Sequence, residues 1–240
     1  MIINIQEELN DGTRLFGWKS ESPLTPVSPN YTYYISEKKI FSEAECESWN
    51  EYLLKQENVL LNKYRTSMGD GSTGLGGLSI TSRYRDFNLL KFNFHGVQKL
   101  KKAICDGIET LLSVSDNSDW QNTLYANSWF NVLRQGEAMN IHSHGYNKNS
   151  FYGFHVTINA IEPSFTSYYH PIKFQEEAVH SPNEKGILTI FPNYIPHGVS
   201  PNRYAIPRVT IAGDVFSSSW LNEVNTDAHN KNLVELGKVG

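Results

Sequence analysis

Residues 152–159 read "YGFHVTIN", and their alternation decides the fold. Successive side chains of a β-strand point to opposite faces, so this stretch has one apolar row and one polar row. The apolar row comprises Tyr152, Phe154, Val156 and Ile158. The polar row comprises Gly153, His155, Thr157 and Asn159. A polar row can simply face water in an antiparallel sheet. Histidine, threonine and asparagine are also residue types that line a hydrated cavity, so we expect this row to face the inside of a barrel.

A second stretch, "RVTIAGDVF" at 208–216, divides in the same way. Its apolar row comprises Val209, Ile211, Gly213 and Val215. Its polar row comprises Arg208, Thr210, Ala212 and Asp214. Short β-rich runs are predicted at 126–134, 151–159, 186–191 and 206–216. Because strands follow helices without regular alternation, we expect a mainly β fold with α, a sandwich or jelly roll backed by N-terminal helices.

The N-terminal half supplies the predicted helices. Ser42 and Glu45 form a capping box that predicts an amphipathic helix over about 43–55. An apolar stripe predicts a second helix within 94–114. Residues 31–41 are typical of a strand. Residues 1–30 are polar and end in "SPLTPVSPN", whose three prolines disfavour a helix, so we interpret them as an arm or wrapped loop.

A glycine-rich stretch, "SMGDGSTGLGGLS" at 67–79, predicts a loop. It matches G-x-G-x-x-G by letter, but no apolar strand leads into it, no helix follows and the P-loop lysine is missing. A phosphate cradle is therefore disfavoured, and whether the loop is a lid over a site stays open.

Composition limits the classes of function. The 240 residues carry a net charge of −4, which disfavours non-specific nucleic-acid binding but leaves a local basic groove open. There is no secretory leader, no long apolar run and no cysteine framework, which predicts a cytoplasmic protein without membrane spans. We expect one domain over 1–240, with an arm and supporting helices in 1–120 and the β core in 121–220. A homodimer is a possible state.

Three histidines are candidate metal ligands. In "GEAMNIHSHGY" at 136–146, an extended H-x-H places the imidazoles of His142 and His144 on one side of the backbone. His197 lies between Pro196 and Gly198, shortly after the apolar strand predicted at 186–191. In this position we expect its side chain to be rigid and accessible. Ordinary structural roles are expected for four other histidines, His95, His170, His180 and His229.

Arg208 and Thr210 are the candidate binding residues for an anionic ligand. Both lie on the predicted cavity face of their strand. An arginine can bind a carboxylate through two parallel hydrogen bonds, and a threonine hydroxyl can add a third. A surface arginine paired with a carboxylate is the alternative.

The order of these pieces resembles the iron(II) and 2-oxoglutarate dependent oxygenases, especially the prolyl-hydroxylase-like branch and the set encoded by bacteria and tailed phages. The matching stretches are "WFNVLRQGEAMNIHSHGY", "FYGFHVTIN", "GILTIFPNYIPHGVSPN" and "RVTIAGDVF", with a weaker match in "IFSEAECESWNEYL". The family pattern is H-x-[DE], then a distal histidine, then an arginine some ten residues later. The resemblance implies a double-stranded β-helix (jelly roll, cupin-like) core.

The resemblance also implies roles for individual residues. His142 and His197 would be metal ligands, Arg208 would hold the far carboxylate of 2-oxoglutarate, and Thr210 would lie beside it. In many members of the family a tyrosine helps to hold 2-oxoglutarate, and Tyr152 and Asn131 are the candidates for that position. His155 is a candidate for a similar position that faces the cavity. The chain departs from the pattern at His144, where the family has a carboxylate. Glu137 and Asp214 are other carboxylates, but their spacing favours neither. Three neutral imidazoles suit zinc as well as iron.

The implied activity is that of a dioxygenase that uses Fe(II), 2-oxoglutarate and O2, and hydroxylates a peptide or protein side chain or a small molecule. In a phage, the compartment would be the host cytoplasm. Two alternatives stay open. One is a three-histidine cupin-like metalloenzyme without 2-oxoglutarate, whose metal binding would not depend on Arg208. The other is a non-catalytic phage jelly-roll protein without stoichiometric metal.

Overall fold

The computed structural model describes residues 2–28, 30–65, 69–145, 151–161, 163–173, 178–223 and 232–239. Within them, the helices are α1 Glu43–Lys63, α2 Val97–Val114 and α3 Ser218–Glu223, with 3₁₀ turns at Thr81–Arg83 and Leu89–Lys91. The strands are β1 Ile2–Glu8, β2 Arg14–Ser20, β3 Thr32–Lys39, β4 Asn122–Leu133, β5 Met139–His142, β6 Tyr152–Asn159, β7 Phe165–Tyr169, β8 Ala178–Pro182, β9 Ile187–Pro192, β10 His197–Val199, β11 Arg208–Ser217 and β12 Val234–Val239.

The strands form two antiparallel sheets. The larger sheet has the order β1-β2-β3-β9-β6-β11-β4-β12, and the smaller sheet has the order β5-β10-β7-β8. Aromatic contacts join the sheets, because Tyr168 of β7 lies with its ring centroid 5.6 Å from those of both Phe16 and Phe191. The expected mainly β architecture, a double-stranded β-helix backed by helices, is confirmed.

The larger sheet packs its outer face on α1 and α2. The predicted helical stripe is buried in the same core as the apolar row of β6. This core also includes Val209, Ile211 and Val215 from the apolar row of β11. The opposite rows of both strands are thereby directed to the space between the sheets.

Helix α1 is two turns longer than predicted. Its capping box is present, with the Ser42 hydroxyl accepting from the Glu45 N–H and the Glu45 carboxylate accepting from the Ser42 N–H. The helix continues beyond the predicted residue 55 to Lys63, because good helix formers follow and Leu60 is buried in the core. Helix α2 lies within its predicted range.

The interpretation as an arm or loop was wrong for residues 2–20, whereas the described residues of 21–30 do form a loop. Strands β1 and β2 form a hairpin that extends the larger sheet beside β3. Strand β2 is buried on both faces, and Trp18 is 0% exposed. The Asp11–Gly12 dipeptide, with Gly12 at φ +78°, forms the turn of this hairpin. The sequence interpretation overlooked this turn signal because it relied on the three prolines.

The larger sheet takes strands from both sides of residue 120 and adds β12 after residue 220. The expected division into supporting elements in 1–120 and a β core in 121–220 therefore remains a prediction. No helix within the described ranges combines the length and the apolar character needed to cross a lipid bilayer.

Candidate metal and anion site

The three candidate histidines converge between the sheets. His142 of β5 and His197 of β10 are direct partners in one antiparallel ladder, and their ring centroids lie 4.5 Å apart. The ring of His144 lies 5.1 Å from that of His197 and 5.5 Å from that of His142. One ring nitrogen from each residue lies within 4.8 Å of the others, a spacing that one metal ion can bridge.

Each of the three imidazoles is held through Nδ1. The Nδ1 of His142 lies 2.8 Å from the carbonyl oxygen of Asn140, and that of His197 lies 3.0 Å from the carbonyl of Ile195. The Nδ1 of His144 lies 2.5 Å from a carboxylate oxygen of Asp214. A carbonyl or carboxylate only accepts, so each Nδ1 carries a proton, and in the neutral ring each Nε2 keeps its lone pair. This is the arrangement that metal-binding histidines use.

The electrostatics favour neutral rings at two of the three positions. Burial lowers the pKa of His142, and the neighbouring His144 lowers it further. Burial also holds the pKa of His197 well below its ordinary value, with further contributions from His142 and His144. Neutral imidazole is the form that binds a metal ion.

His144 differs from the other two. Burial is the largest single influence and disfavours its protonation, but the charge and the hydrogen bond of Asp214 together outweigh burial and raise the pKa of His144. The donor set as a whole fits a divalent cation: three convergent nitrogens, with a carboxylate directly behind one of them.

Arg208 lies at the start of β11, on the inner face of the larger sheet. The residue is 3% exposed, and its Nε and Nη1 atoms have no hydrogen-bond partner among the described residues. Burial lowers its pKa to about 9, so the guanidinium remains a cation at neutral pH. A buried cation without a partner is costly, and an anionic ligand would offset that cost.

Thr210 and Asn131 lie beside Arg208 on the cavity wall. They are register partners between β11 and β4, and both are buried. The Asn131 side-chain oxygen accepts a hydrogen bond from the Thr81 hydroxyl at 2.8 Å. These two candidates therefore line the cavity near the guanidinium, as the alternation of β11 predicted.

His155 also faces the cavity, as its polar row predicted. Its Nε2 shares a hydrogen bond of 2.5 Å with the hydroxyl of Tyr168, whereas its buried Nδ1 has no partner among the described residues. Burial lowers the pKa of His155 to about 3, with help from the charge of Arg208, so the ring is neutral. Tyr168 of β7 is fully buried behind His155.

Tyr152 is misplaced for the role of cofactor ligand that the resemblance suggested. It belongs to the apolar row of β6, packs against the core beneath the helices, and contacts Phe151 with ring centroids 4.6 Å apart. Tyr152 is not among the described residues that line the cavity. The physical reason is the alternation of the strand itself, which sends His155 inward and Tyr152 outward.

A single cavity of about 760 Å³ contains the three histidines and Arg208 in its wall. That volume is typical of a site for a small molecule. Residues Asp70, Gly71, Ser72 and Thr73 of the glycine-rich stretch form part of the wall. The loop is tied to β5, because the Asn140 N–H donates to the Thr73 carbonyl at 2.8 Å. Residues 67 and 68 lie outside the described part of the chain, and a lid function stays a prediction.

The other histidines stand apart from this group. His95 stacks on Phe94 with ring centroids 4.3 Å apart, and His180 shares a hydrogen bond of 2.7 Å with the Ser167 hydroxyl. His170 is buried among aromatic rings that include Trp18. His229 lies outside the described residues.

Asp214 is the site residue whose role the sequence did not resolve. Alternation places this carboxylate on the cavity row of β11, but no spacing links it to the metal. Its contact with His144 depends on how the segment after β5 crosses β11, which no local pattern encodes. Glu137 does not reach the histidines; its carboxylate accepts from the Arg134 N–H at 2.6 Å.

Known structures share this fold, although no family model and no curated protein matches the sequence. A prolyl-4-hydroxylase from Pseudomonas putida superposes with a TM-score of 0.51 at 9% identity, over 76% of this chain and 91% of that chain. A prolyl hydroxylase from Trichoplax adhaerens, in complex with a peptide fragment of hypoxia inducible factor, gives a TM-score of 0.49 at 13% identity, over 80% and 87%. At the level of fold, this chain is thus similar to a prolyl-4-hydroxylase, as its motifs indicated.

Proposed function

We propose that this protein is a non-haem iron(II) and 2-oxoglutarate dependent dioxygenase, built as one oxygenase domain over 1–240. Its proposed reaction hydroxylates a peptide or protein side chain, or another organic substrate, and releases succinate and CO2. One observation carries the proposal. Three convergent imidazoles and a buried guanidinium that has no partner among the described residues share the wall of one cavity.

The metal would be held by His142, His144 and His197. Three protein ligands on an ion leave coordination positions open for other molecules. When bound, iron(II) with 2-oxoglutarate and O2 supplies an oxidative decarboxylation, in which one oxygen atom enters succinate and the other enters the substrate. The protein's own part is to hold the reactants in a fixed orientation and to exclude water.

Arg208 would bind the far carboxylate of 2-oxoglutarate. Its Nε and Nη1 have no hydrogen-bond partner among the described residues, and a guanidinium can bind a carboxylate through two parallel hydrogen bonds. The Thr210 hydroxyl and the Asn131 amide lie on adjacent strands and add neutral polar contacts. Because the anion would neutralise a buried cation, this contact should contribute strongly to binding.

His155 would complete this anion site from β6. If the Tyr168 hydroxyl donates to Nε2, the unpartnered Nδ1 carries a proton that can be donated to the ligand. The neutral ring adds a hydrogen bond without adding a second buried charge beside Arg208. His155 thus replaces Tyr152 among the residues that we expect to contact the cosubstrate.

The decisive experiment is anaerobic addition of Fe(II) and 2-oxoglutarate to the purified protein, followed by visible absorption. We expect the weak charge-transfer band of the chelate in the wild type and its loss in Arg208→Met. Arg134→Met is the matched control, because Arg134 forms an ion pair with Glu57 at 2.8 Å. The proposal is wrong if the wild type binds no 2-oxoglutarate. Metal binding that is indifferent to Arg208, without any 2-oxoglutarate binding, would instead indicate a three-histidine metalloenzyme of another kind.

The substrate class is tested by succinate release. Under air, with Fe(II) and 2-oxoglutarate in excess, a true substrate should raise succinate formation above the uncoupled rate and gain 16 Da as detected by mass spectrometry. Peptide libraries and small-molecule pools are compared in the same assay. Oxygen from ¹⁸O2 should appear in the product, which separates hydroxylation from hydrolysis.

A further inference from the structure

The three candidate ligands are held in two different ways. The Nδ1 atoms of His142 and His197 donate to main-chain carbonyls of residues two positions earlier. The Nδ1 of His144 donates instead to the Asp214 side chain, which comes from another strand. His144 also stands where the resembling oxygenases have a carboxylate ligand. Where the family pattern has a carboxylate ligand, this chain thus has a histidine whose Nδ1 is hydrogen-bonded to a carboxylate.

Asp214 is positioned by the cavity row of β11. The row continues from Arg208 through Thr210 and Ala212 to Asp214, and all four residues line the same cavity. The side chains of His144 and Asp214 are only 11% and 20% exposed, so little water screens their interaction. Among the described residues, no lysine or arginine forms an ion pair with Asp214, and its charge is directed to the imidazole.

The physical consequence concerns the donor strength of His144. A carboxylate that accepts from Nδ1–H fixes the tautomer and the orientation of the ring, and it increases electron density at Nε2. It also places one negative charge near an ion that would otherwise meet three neutral ligands. An amide in place of the carboxylate would keep the shape of the side chain and lose this charge.

We propose that Asp214 is a positioning residue that supplies, through His144, the negative charge that a directly coordinated carboxylate would provide. This inference rests on the metal site of the proposed function and extends it to a carboxylate that does not contact the metal. Strand β11 then serves both ends of the cavity: Arg208 binds the cosubstrate at its start, and Asp214 supports a metal ligand six residues later.

The test measures the affinity for the metal alone, without 2-oxoglutarate or turnover. Co(II) is titrated anaerobically into the wild type, Asp214→Asn and Asp214→Ala, and its visible absorption reports on coordination. We expect about 10- to 100-fold weaker binding in both variants, the range typical of lost outer partners of metal ligands. Asp86→Asn is the matched control, because it removes a charge from the same cavity wall and leaves the Asp214–His144 hydrogen bond in place. Its affinity should stay within about twofold of the wild type.

A second variant separates a role through His144 from general packing. In His144→Asp the ligand itself carries the charge, so the additional change Asp214→Asn should no longer weaken Co(II) binding. A similar loss in both backgrounds, with unchanged thermal unfolding of the metal-free proteins, would show that Asp214 does not act through the ring. Equal affinity of Asp214→Asn and wild type would also overturn the inference. If the wild type itself binds no metal, the proposed function fails first, and the two failures are therefore distinguishable.

Discussion

His142 and His197 face each other as Cα partners across the ladder between β5 and β10, although they are far apart in the sequence. Main-chain hydrogen bonds therefore set their separation, and the carbonyls of Asn140 and Ile195 set the orientation of their rings. A site on paired strands is more precise than one on loops. We infer that the proposed metal site is preorganised in the metal-free protein, so metal binding would require little rearrangement.

The first prediction concerns the ligands. His142→Ala removes one of three nitrogens, and we expect stoichiometric metal binding to fall by more than the roughly 100-fold that loss of an outer partner causes. His180→Ala is the control, because His180 lies on β8 and shares its hydrogen bond with Ser167. Anaerobic calorimetry with Fe(II) or Co(II) measures both. Equal metal affinities of the two variants would show that His142 is not a metal ligand.

The second prediction is that Arg208→Met stabilises the ligand-free protein. The substitution replaces a buried cation, which has no partner in the described part of the chain, with an apolar side chain of similar length. Replacing buried charges with apolar residues can gain about 1–4 kcal/mol. In contrast, 2-oxoglutarate at 100 times its Kd should stabilise only the wild type, by about 2.7 kcal/mol. Thermal unfolding with and without the ligand measures both effects.

Arg134→Met serves again as the control for this experiment. Arg134 is half exposed but its partner Glu57 is only 8% exposed, so loss of the cation should destabilise the empty protein, a change opposite in sign to that expected for Arg208→Met. The ligand-dependent shift should remain. If Arg208→Met destabilises the empty protein, the guanidinium has a stabilising role in the apo state that an unpartnered cation does not explain.

Alternation along the strands was readable from the sequence, and it placed Arg208, Thr210 and His155 on the cavity side. It also contained the argument against Tyr152, which shares the apolar row with Val156 and Ile158. Such patterns are local, because the side-chain direction repeats every two residues. The H-x-H spacing is local in the same sense, and it was enough to place the imidazoles of His142 and His144 on one side of the backbone.

Contacts between strands were not readable, because they depend on register and on the approach of the two sheets. The hydrogen bonds between His144 and Asp214 and between His155 and Tyr168 each join residues that are distant in the sequence. The short strands β5, β7, β8 and β10 carry weak local signals, and pairing in the smaller sheet stabilises them. The N-terminal hairpin was missed because the interpretation relied on the three prolines that follow β2 and did not weigh the apolar residues within that strand.

The third prediction concerns pH. The folded protein keeps His155 neutral down to about pH 3, whereas the unfolded chain takes up a proton near pH 6.5. The unfolded state therefore binds more protons below pH 6.5, and the free energy of unfolding falls as the pH falls towards 3. The contribution of His155 between pH 6.5 and pH 5 is about 2 kcal/mol, at 1.36 kcal/mol per pH unit.

His155→Gln tests this contribution, because glutamine does not titrate and can still bond to the Tyr168 hydroxyl. Urea unfolding is measured at several pH values between 5 and 7 in the absence of metal. The difference in stability between the wild type and the variant should shift in favour of the variant as the pH falls. A difference that is independent of pH would mean that His155 has the same pKa in the folded and the unfolded protein.

The fourth prediction concerns the N-terminal hairpin, which the structure makes part of the barrel. Trp18 is fully buried in a small core between the sheets that also contains Tyr168, the hydrogen-bond partner of His155. Trp18→Ala should cost about 3–5 kcal/mol, the usual range for a large buried aromatic. At about 2–4 °C per kcal/mol for a chain of this size, Tm should fall by roughly 6–20 °C.

Leu24→Ala is the matched control for this region. Leu24 follows β2 and is fully exposed, so its truncation should change stability by no more than about 0.5 kcal/mol. Because the Trp18 cavity would loosen the packing around Tyr168, the affinity for 2-oxoglutarate should weaken in Trp18→Ala but not in Leu24→Ala. If Trp18→Ala unfolds at the wild-type temperature, residues 1–30 behave in solution as the arm that their prolines suggested, and the buried hairpin is wrong.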